Sequence, residues 1–400
     1  MLIRLIHLIL FLFFSTYNLV AWETNDEADN KVVVETIYGA VRGFRISTKN
    51  ADKRKSEANV FLGIPFAKPP LDDLRFEDEE FISGFPVMVF IHGGGFELGS
   101  ASDFGYKFMV ENYASRGVVL VTIQYRLAQF GFMTLDKDAF RGNYGLWDMI
   151  AALKFVQKNI AHFGGDPERV TIFGHSAGGA AVGHLSQSHH ADGLFLNAIQ
   201  LSGSAWSDWA CSSRTEANEA LTIALGCETS SPAKAKACLK EKTADEILDG
   251  VEQIGIYRRN DMNFLLFVPH IDGDFHVDEL HKSVHKSFKP ATFLGVADAE
   301  AYDFTIVGDL KEMSDLYVPP KEYATFDEAR FRSFIRKFLA KPEKIKTKEV
   351  ISDVMFLVPA LIDAEAKARA GWTVFLYRFG YLNMDMVEEI HRDIYSGFVA

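Results

Sequence analysis

The sequence predicts an α/β fold in which helices cover both faces of a mostly parallel central sheet. Two continuous apolar runs, Pro86–Ile91 and Val118–Ile123, have the composition of strands that are buried on both faces. Over Leu146–Phe163 the apolar residues follow helical spacing, and a short β-branched and aromatic strand follows at Val170–Phe173. Because strands and helices alternate in this way, helical crossovers can join the strands and leave them parallel.

The same alternation continues on either side of this region. The further expected elements are a helix over Tyr106–Ser115, a helix from Ala177 onward, a strand at Ala198–Leu201, a strand at Thr292–Val296, a helix over Asp353–Ala370 and a strand at Val374–Phe379. Charged helical insertions are expected between the last two strands. Near the N-terminus, Val32–Val34 and Ala40–Phe44 flank Tyr38-Gly39 and predict a β-hairpin, which a charged loop over 50–57 follows.

Length and composition place the chain among globular proteins. The 400 residues are 48% apolar, and the mean hydropathy is +0.01, which suits a water-exposed surface around a large core. The net charge of −12 argues against nucleic-acid or anionic-membrane partners, since these bind basic patches. No Pro/Gly-rich linker divides the chain, so we expect one domain over residues 22–400. The sequence leaves the oligomeric state open.

The first 21 residues have the layout of a secretory signal peptide. Arg4 precedes the apolar run Leu8–Phe14, and a polar stretch then leads to the small residue Ala21. The alternative is a membrane anchor, but the uninterrupted apolar run is far shorter than the about 20 residues of a spanning helix. We therefore expect residues 1–21 to be cleaved, and the mature protein to be secreted or to stay in the lumen of the secretory pathway.

An oxidising compartment makes the three cysteines informative. Cys227 and Cys238 lie eleven residues apart in a polar, Lys-rich stretch, which suits a small loop closed by a disulfide. Such a loop stabilises a protein by about 2–3 kcal/mol on the chain-entropy model. Cys211 is left over, and we expect it to be a buried free thiol.

The run Gly174-His175-Ser176-Ala177-Gly178 carries the clearest chemical signal. A Gly-x-Ser-x-Gly pentapeptide alone is common, but this one follows a strand and opens a helix, as a nucleophile elbow requires. The tight turn exposes the Ser176 oxygen, and the N-terminus of the following helix favours developing negative charge. The alternative is a serine in an ordinary strand-to-helix turn.

A glycine-rich turn after the strand at Pro86–Ile91 complements this serine. In His92-Gly93-Gly94-Gly95-Phe96 the glycines let the backbone approach a substrate and turn its N–H groups toward one point. The N–H groups of Gly94, Gly95 and Ala177 would together form an oxyanion hole. A phosphate-binding loop of the P-loop type is excluded, since no Lys-Ser/Thr follows.

These motifs resemble the type-B carboxylesterase and cholinesterase-like family. The run from Phe163 to Gly178 is similar to the family signature, Phe61–Pro70 to its N-terminal block, and Gly142–Asp148 to the block ahead of the elbow. The similarity extends from about residue 32 to the end. It implies an α/β-hydrolase fold, hydrolysis of small-molecule carboxylic esters through an acyl-enzyme on Ser176, and no cofactor.

The resemblance also implies roles for residues away from the elbow. Glu300 falls on the family's triad acid, with Asp298 and Asp303 as local alternatives. Its role would be to orient the catalytic histidine and to stabilise the imidazolium. Trp209, after Ser202-Gly203-Ser204, would line the acyl pocket, and the Cys227–Cys238 spacing resembles the family's second disulfide.

The sequence departs from the family pattern at the base and near residues 76–86. One histidine, His391, follows Glu300, and it has the surroundings of a surface residue. The family's histidine belongs to a Gly-x-x-His-like loop that here would begin at Gly397, so we expect it beyond residue 400 and the C-terminal part of the fold to be incomplete. Between Phe76 and Pro86 a few dozen family residues are missing. Because loss of the base lowers the rate of such a site about 10⁴–10⁶-fold, we expect this chain to be weakly active or inactive.

Two other interpretations compete with the esterase. A non-catalytic binding or adhesion protein of the neuroligin-like kind would use the same fold, but those relatives usually lack the nucleophile that Ser176 provides. A metal cluster is the second, because His270, Asp272, Asp274 and His276 lie close together in the sequence. Since this string resembles a structural turn of the same family, we expect no metal site.

Overall fold

The computed structural model describes residues 31–49, 55–62, 64, 84–212, 215–255, 265–298, 300 and 352–380 of the chain. Its strands are β1 (Lys31–Thr36), β2 (Gly39–Lys49), β3 (Lys55–Val60), β4 (Phe85–Ile91), β5 (Val119–Ile123), β6 (Gly165–His175), β7 (Asn197–Leu201), β8 (Ala291–Ala297) and β9 (Val374–Phe379). Its α-helices are α1 (Tyr106–Asn112), α2 (Ala128–Phe132), α3 (Tyr144–Asn159), α4 (Ala177–Gln187), α5 (Glu216–Ala224), α6 (Pro232–Lys240), α7 (Ala244–Gln253), α8 (Leu280–Ser283) and α9 (Val358–Arg369).

A six-stranded parallel sheet in the order β5-β4-β6-β7-β8-β9 forms the centre of the fold. Its middle strands are apolar because both of their faces are covered: Val87, Val89 and Ile91 of β4 are completely buried, as are Val170 and Ile172 of β6. The predicted α/β fold class with a parallel central sheet is therefore confirmed.

The strand order places helices on both faces of this sheet. The chain steps outward from β4 to β5, then reverses and proceeds through β6, β7, β8 and β9. Because parallel crossovers are right-handed, the reversal puts α1 on one face and α3, α4 and α9 on the other. The loops that follow β4 and β6 therefore diverge, and they leave a crevice at the carboxyl ends of these two adjacent strands.

A separate three-stranded antiparallel sheet, β1-β2-β3, is formed by the N-terminal part of the described chain. The predicted hairpin is confirmed, with Thr36 opposite Gly39 at its turn. The expected charged loop over 50–57 is wrong at its end, because β3 begins at Lys55 and pairs with β2. Strand β3 could not be predicted from its polar sequence, because it forms one edge of a small sheet and lacks the apolar alternation of a buried strand.

The long helices end differently from the prediction. The helix expected over Leu146–Phe163 consists of α3 and a 3₁₀ turn at Ile160–Phe163, which ends at Gly164 in the left-handed conformation. The helix expected over Asp353–Ala370 begins with a π turn at Asp353–Leu357, and α9 follows it. Pro359 lies at the start of α9, where its missing N–H costs least.

Helices α5, α6 and α7 were not predicted, and α6 lies inside the polar loop that Cys227 and Cys238 delimit. The structure joins these two cysteines in a disulfide and leaves Cys211 partly buried with a free thiol. The insertions expected after β8, the signal peptide and His391 lie outside the described residues. Within the described ranges, no helix is both long and apolar enough to cross a bilayer.

A buried ion pair lies where α9 packs on the sheet. The Nζ of Lys367 is 2.9 Å from Oδ1 of Asp363, and both side chains are completely buried. Lys367 also donates to Gln200 of β7 at 2.7 Å, and Ser204 donates to Asp363 at 3.1 Å. This network ties α9 to the end of β7.

Candidate active site

Ser176 lies at the tip of the turn between β6 and α4. Its φ of 57° and ψ of −124° fall in a region that side-chain-bearing residues rarely adopt, at a cost of about 1–3 kcal/mol. The surroundings hold this conformation: the Ser176 amide donates to the Leu201 carbonyl at 2.8 Å, and the Ser176 carbonyl accepts from Ala180 at 2.9 Å. The side chain is half-buried.

The glycine loop after β4 packs directly against this turn. A Cβ atom built on Gly93 would lie 3.2 Å from the Cβ of Ser176. Gly94 has a φ of 107°, which a residue with a Cβ would adopt only under strain, and its carbonyl accepts the amides of Glu97 and Leu98 at 3.0 and 2.9 Å. The loop is thereby closed into a tight turn beside the nucleophile.

Three backbone amides of this region are available for a ligand. Within the described chain, the structure gives the N–H groups of Gly94 and Gly95 no acceptor. Ala177 is the first residue of α4, so its N–H has no partner inside the helix. The N-terminus of an eleven-residue helix adds positive potential at the same point. The arrangement suits an oxygen atom that gains negative charge.

The Glu300 carboxyl lies beyond the end of β8. Its Oε1 accepts the Ala297 amide at 2.6 Å, and the Ser202 hydroxyl donates to the same carboxyl. Burial raises the pKa of Glu300, and these two hydrogen bonds oppose the rise. Ser202 itself follows β7 with a φ of 53°, and its amide donates to Gly295 of β8 at 2.9 Å.

Of the two alternatives to Glu300, Asp298 lies among the described residues. Asp298 is exposed and forms an ion pair with Arg378, so its carboxylate is directed to the end of β9. Asp303 lies outside the described residues. The hydrogen bond from Ser202 was not predicted, although Ser202 stands in a segment that the sequence pattern singles out for the acyl pocket. Ser202 directly follows Leu201, whose carbonyl accepts the Ser176 amide, and its place in that segment was the available signal.

The base has no counterpart in the described structure. Among the described residues, the hydrogen-bond partners that the structure gives the Glu300 carboxyl are Ala297 and Ser202, and neither is a histidine. His391 lies outside these residues, and so does the loop expected to begin at Gly397. The roles predicted for Ser176 and Glu300 remain predictions at this stage.

Trp209, the residue predicted for the acyl pocket, is 9% exposed. Its Nε1–H donates to the Met355 carbonyl at 2.9 Å, and its ring packs on Phe356 with centroids 5.8 Å apart. Trp209 therefore joins the segment after β7 to the π turn ahead of α9. Its role in the acyl pocket stays a prediction.

Glu97 is an ionisable group of the glycine loop that sequence reasoning missed. Burial raises the pKa of its carboxyl to about 8, and the Leu266 amide, which donates to Oε1 at 3.4 Å, opposes the rise only in part. At neutral pH the side chain is thus mostly uncharged. A negative charge here would lie three residues from Gly94 and would oppose an oxyanion, so a neutral carboxyl is the compatible state.

The four residues considered as a metal cluster in the sequence form hydrogen bonds and an ion pair with other protein groups. Asp272 accepts the amides of Asp274 and His276, Asp274 pairs with Arg141 at 2.6 Å, and His276 is 2.9 Å from His184. His270 contacts the Arg141 carbonyl. Across the ranges that the structure covers, no group of three or more His, Cys, Asp and Glu side chains is placed to hold a metal ion.

Known proteins resemble this chain over most of its length. The model of the carboxylesterase family matches residues 30–80 and 77–395, and the break falls near the segment where family residues are expected to be missing. Gut esterase 1 of Caenorhabditis briggsae is 32% identical over 88% of this chain and 74% of its own. Carboxylesterase 1D of Mus musculus is 29% identical over 87% of this chain and 75% of its own. Neuroligin-2 of Mus musculus is 37% identical over 57% of this chain and 25% of its own length.

Proposed function

Because the chain belongs to the carboxylesterase family, we propose that it hydrolyses small-molecule carboxylic esters through a covalent acyl-enzyme on Ser176. The observation that carries the proposal is the strained turn of Ser176, which lies at the N-terminus of α4 and against the glycine loop. A side chain held in this way exposes its oxygen to a ligand in the crevice.

In the proposed reaction the Ser176 Oγ attacks the ester carbonyl carbon while a base takes its proton. The carbonyl oxygen becomes an oxyanion and accepts hydrogen bonds from the amides of Gly94, Gly95 and Ala177. Each such donor contributes about 3–4 kcal/mol to the stability of the transition state. Collapse of the tetrahedral intermediate releases the alcohol, and water then attacks the acyl-serine and releases the carboxylic acid.

Glu300 is proposed to orient the base and to stabilise it when it becomes an imidazolium. Its hydrogen bonds support this role, because Ala297 and Ser202 hold the carboxyl in place and favour its ionised form against the effect of burial. We assign the base to a histidine that the described residues do not include. The expectation of weak turnover for this chain stays a prediction.

The Cys227–Cys238 disulfide supports a location in the secretory pathway, where oxidising conditions let such bonds persist. No cofactor enters the proposed reaction. Trp209 is proposed to limit the size of the acyl group, and its bond to Met355 gives the indole a defined orientation for this task.

Labelling with a fluorophosphonate probe tests the nucleophile. We expect the purified chain to be labelled once, the Ser176→Ala variant to be unlabelled, and the control variant Ser230→Ala, at an exposed serine, to behave like wild type. Equal labelling of wild type and Ser176→Ala would contradict the proposal. No labelling of any folded form would favour a non-catalytic binding protein, for which the partial match to neuroligin-2 is the reason to keep the alternative.

Hydrolysis of a series of nitrophenyl esters with acyl chains of increasing length tests the remaining steps. Slow labelling together with no detectable turnover would indicate a nucleophile that lacks its base, as the sequence predicts, since the base activates the serine in both reactions. Turnover that Glu300→Gln lowers by at least about 10²-fold would support the acid, since an acid that sets the tautomer of the base has effects of up to about 10⁴-fold. A Glu300→Gln variant with wild-type turnover would exclude this role.

A further inference from the structure

The His92 ring lies directly behind the glycine loop. His92 is 1% exposed, and its Nδ1 is 2.9 Å from the carbonyl oxygen of Gly93, the next residue. A carbonyl oxygen accepts only, so Nδ1 carries the proton of this hydrogen bond. Burial lowers the pKa of the imidazole. The ring is therefore neutral at pH 7, with a bare Nε2, to which the described chain offers no partner.

Tyr125 holds the same loop from the neighbouring strand. The register of β4 and β5, with Ile91 opposite Ile123, brings residues 92 and 125 together at the ends of the two strands. The Tyr125 hydroxyl donates to the His92 carbonyl at 2.9 Å, and the two rings are stacked with centroids 4.5 Å apart and planes 18° apart. The carbonyls of His92 and Gly93, which belong to two successive peptide units, are thus both held by hydrogen bonds.

The hydrogen bond to Gly93 has a consequence for the next amide. The peptide unit between Gly93 and Gly94 is planar and trans, so the C=O of Gly93 and the N–H of Gly94 point in opposite directions. A carbonyl that is held on His92 therefore aims the Gly94 N–H away from the imidazole. Gly99 closes the space on the imidazole side, since a Cβ there would lie 2.6 Å from both Nδ1 and the Gly93 oxygen.

We propose that His92, supported by Tyr125, is a positioning residue that aims the Gly94 amide at the oxyanion formed on the Ser176 adduct. The effect on catalysis rests on the proposed function, whereas the hydrogen bond that orients the Gly94 amide does not. A loop with positive φ at Gly94, Gly95 and Phe96 has no regular secondary structure to define its amide directions. The His92–Gly93 hydrogen bond supplies that definition.

Three variants separate the hydrogen bond from the packing of the ring. His92→Phe keeps an aromatic ring on Tyr125 and removes the donor. His92→Asn keeps a donor in place of Nδ1, because its Nδ2 branches from Cγ in the same way, and loses the stack. Tyr125→Phe removes the hydrogen bond to the His92 carbonyl and keeps both rings.

The second-order rate constant of fluorophosphonate labelling at Ser176 is the first readout. We expect a fall of about 10–100-fold in His92→Phe, because a misdirected donor costs less than the about 10²–10³-fold of a deleted one, and of less than about threefold in His92→Asn. A role in folding alone would lower the labelled fraction and the Tm, but not the rate constant of the folded sites. Wild-type rates in His92→Phe, or an equal loss in both His92 variants, would overturn the proposal.

The second readout needs no reactive serine. In ¹⁵N NMR spectra of the wild-type protein we expect the His92 ring to be the Nδ1-protonated tautomer, and we expect faster amide hydrogen exchange of the glycine loop in His92→Phe than in His92→Asn. An Nε2-protonated ring, or unchanged exchange in His92→Phe, would refute the positioning role. If wild type is not labelled, the proposed esterase mechanism fails, and these spectra still decide the structural part.

Discussion

Replacing Glu97 by glutamine should remove a pH dependence of stability that one carboxyl causes. Burial raises the pKa of Glu97 from 4.5 to about 8 in the folded protein, whereas in the unfolded chain it stays near its ordinary value. Between these two pH values the folded state holds a proton that the unfolded state has lost. The contribution of Glu97 is therefore fully present below pH 4.5, falls as the pH rises toward 8, and is constant above that.

The size of the effect follows from the same two values. One pKa unit corresponds to 1.36 kcal/mol, so the interval from 4.5 to about 8 corresponds to at most ~5 kcal/mol. The value of about 8 already includes the opposing hydrogen bond from the Leu266 amide, and local rearrangement in the folded protein would bring it closer to 4.5. We expect the free energy of unfolding of wild type, relative to Glu97→Gln, to fall by roughly 1 kcal/mol per pH unit between about pH 5 and 7.5.

Urea unfolding of both proteins from about pH 5 to about pH 8.5 measures this difference directly. The comparison cancels the histidines and other groups that titrate in the same range, because both proteins contain them. Glu111→Gln, at an exposed position of α1, is the matched control and should run parallel to wild type. If Glu97→Gln also runs parallel to wild type, the carboxyl ionises normally and the argument from burial is wrong.

Three further predictions concern stability. Burial lowers the pKa of His184 to about 4, so the stability that its neutral ring provides should be lost as the pH falls from about 6.5 toward 4. In thermal unfolding, His184→Gln should therefore lose less stability than wild type over this pH range. An equal loss in both proteins would contradict the prediction. Lys367→Met should lower the free energy of unfolding by about 3–5 kcal/mol, because it leaves the buried Asp363 charge unpaired. In urea unfolding, the double variant that also carries Asp363→Leu should recover most of this loss. If the double variant is as unstable as Lys367→Met alone, the pairing argument is refuted. Replacing Cys227 and Cys238 together by serine should cost about 3 kcal/mol, since the bond closes a loop with a sequence separation of 11, and a loss below about 1 kcal/mol would show that the loop is ordered without it.

The buried strands were predictable because their chemistry is unambiguous. Strands β4 and β5 are apolar along most of their length, and such runs are typical of parallel sheets that helices cover. Strand β3 and helices α5 to α7 have polar or mixed sequences, and their stability comes from the elements they contact. The π turn ahead of α9 directly precedes the helix start at which Pro359 lies, and the spacing of apolar residues does not distinguish a π turn from an α-helix.

The residues of the site also fall into those that the sequence predicts and those that it does not. The glycines of the oxyanion loop and the serine of the elbow appear in the sequence because backbone geometry requires those residue types there. The contacts of Ser202 with Glu300 and of His92 with Gly93 depend on how separate strand ends meet, and no local pattern reports this. The raised pKa of Glu97 is likewise a property of burial rather than of residue type.

The distribution of backbone strain argues for catalysis over a purely binding role. The described non-glycine residues with positive φ are Phe96, Ala128, Asn143, Ser176 and Ser202. Three of them follow the carboxyl ends of β4, β6 and β7 around one crevice, and a fourth, Ala128, donates its amide to the Phe96 carbonyl at 2.7 Å.

Each such conformation costs about 1–3 kcal/mol and persists only where surrounding contacts enforce it. A binding protein that used its outer surface would have no need of this strain at the carboxyl ends of the sheet strands. An esterase does need it, because the nucleophile, the oxyanion donors and the partner of the acid must converge on one carbonyl group. The strain therefore lies where the proposed reaction uses it, and relaxing it at Ser176 should raise stability only at the expense of labelling.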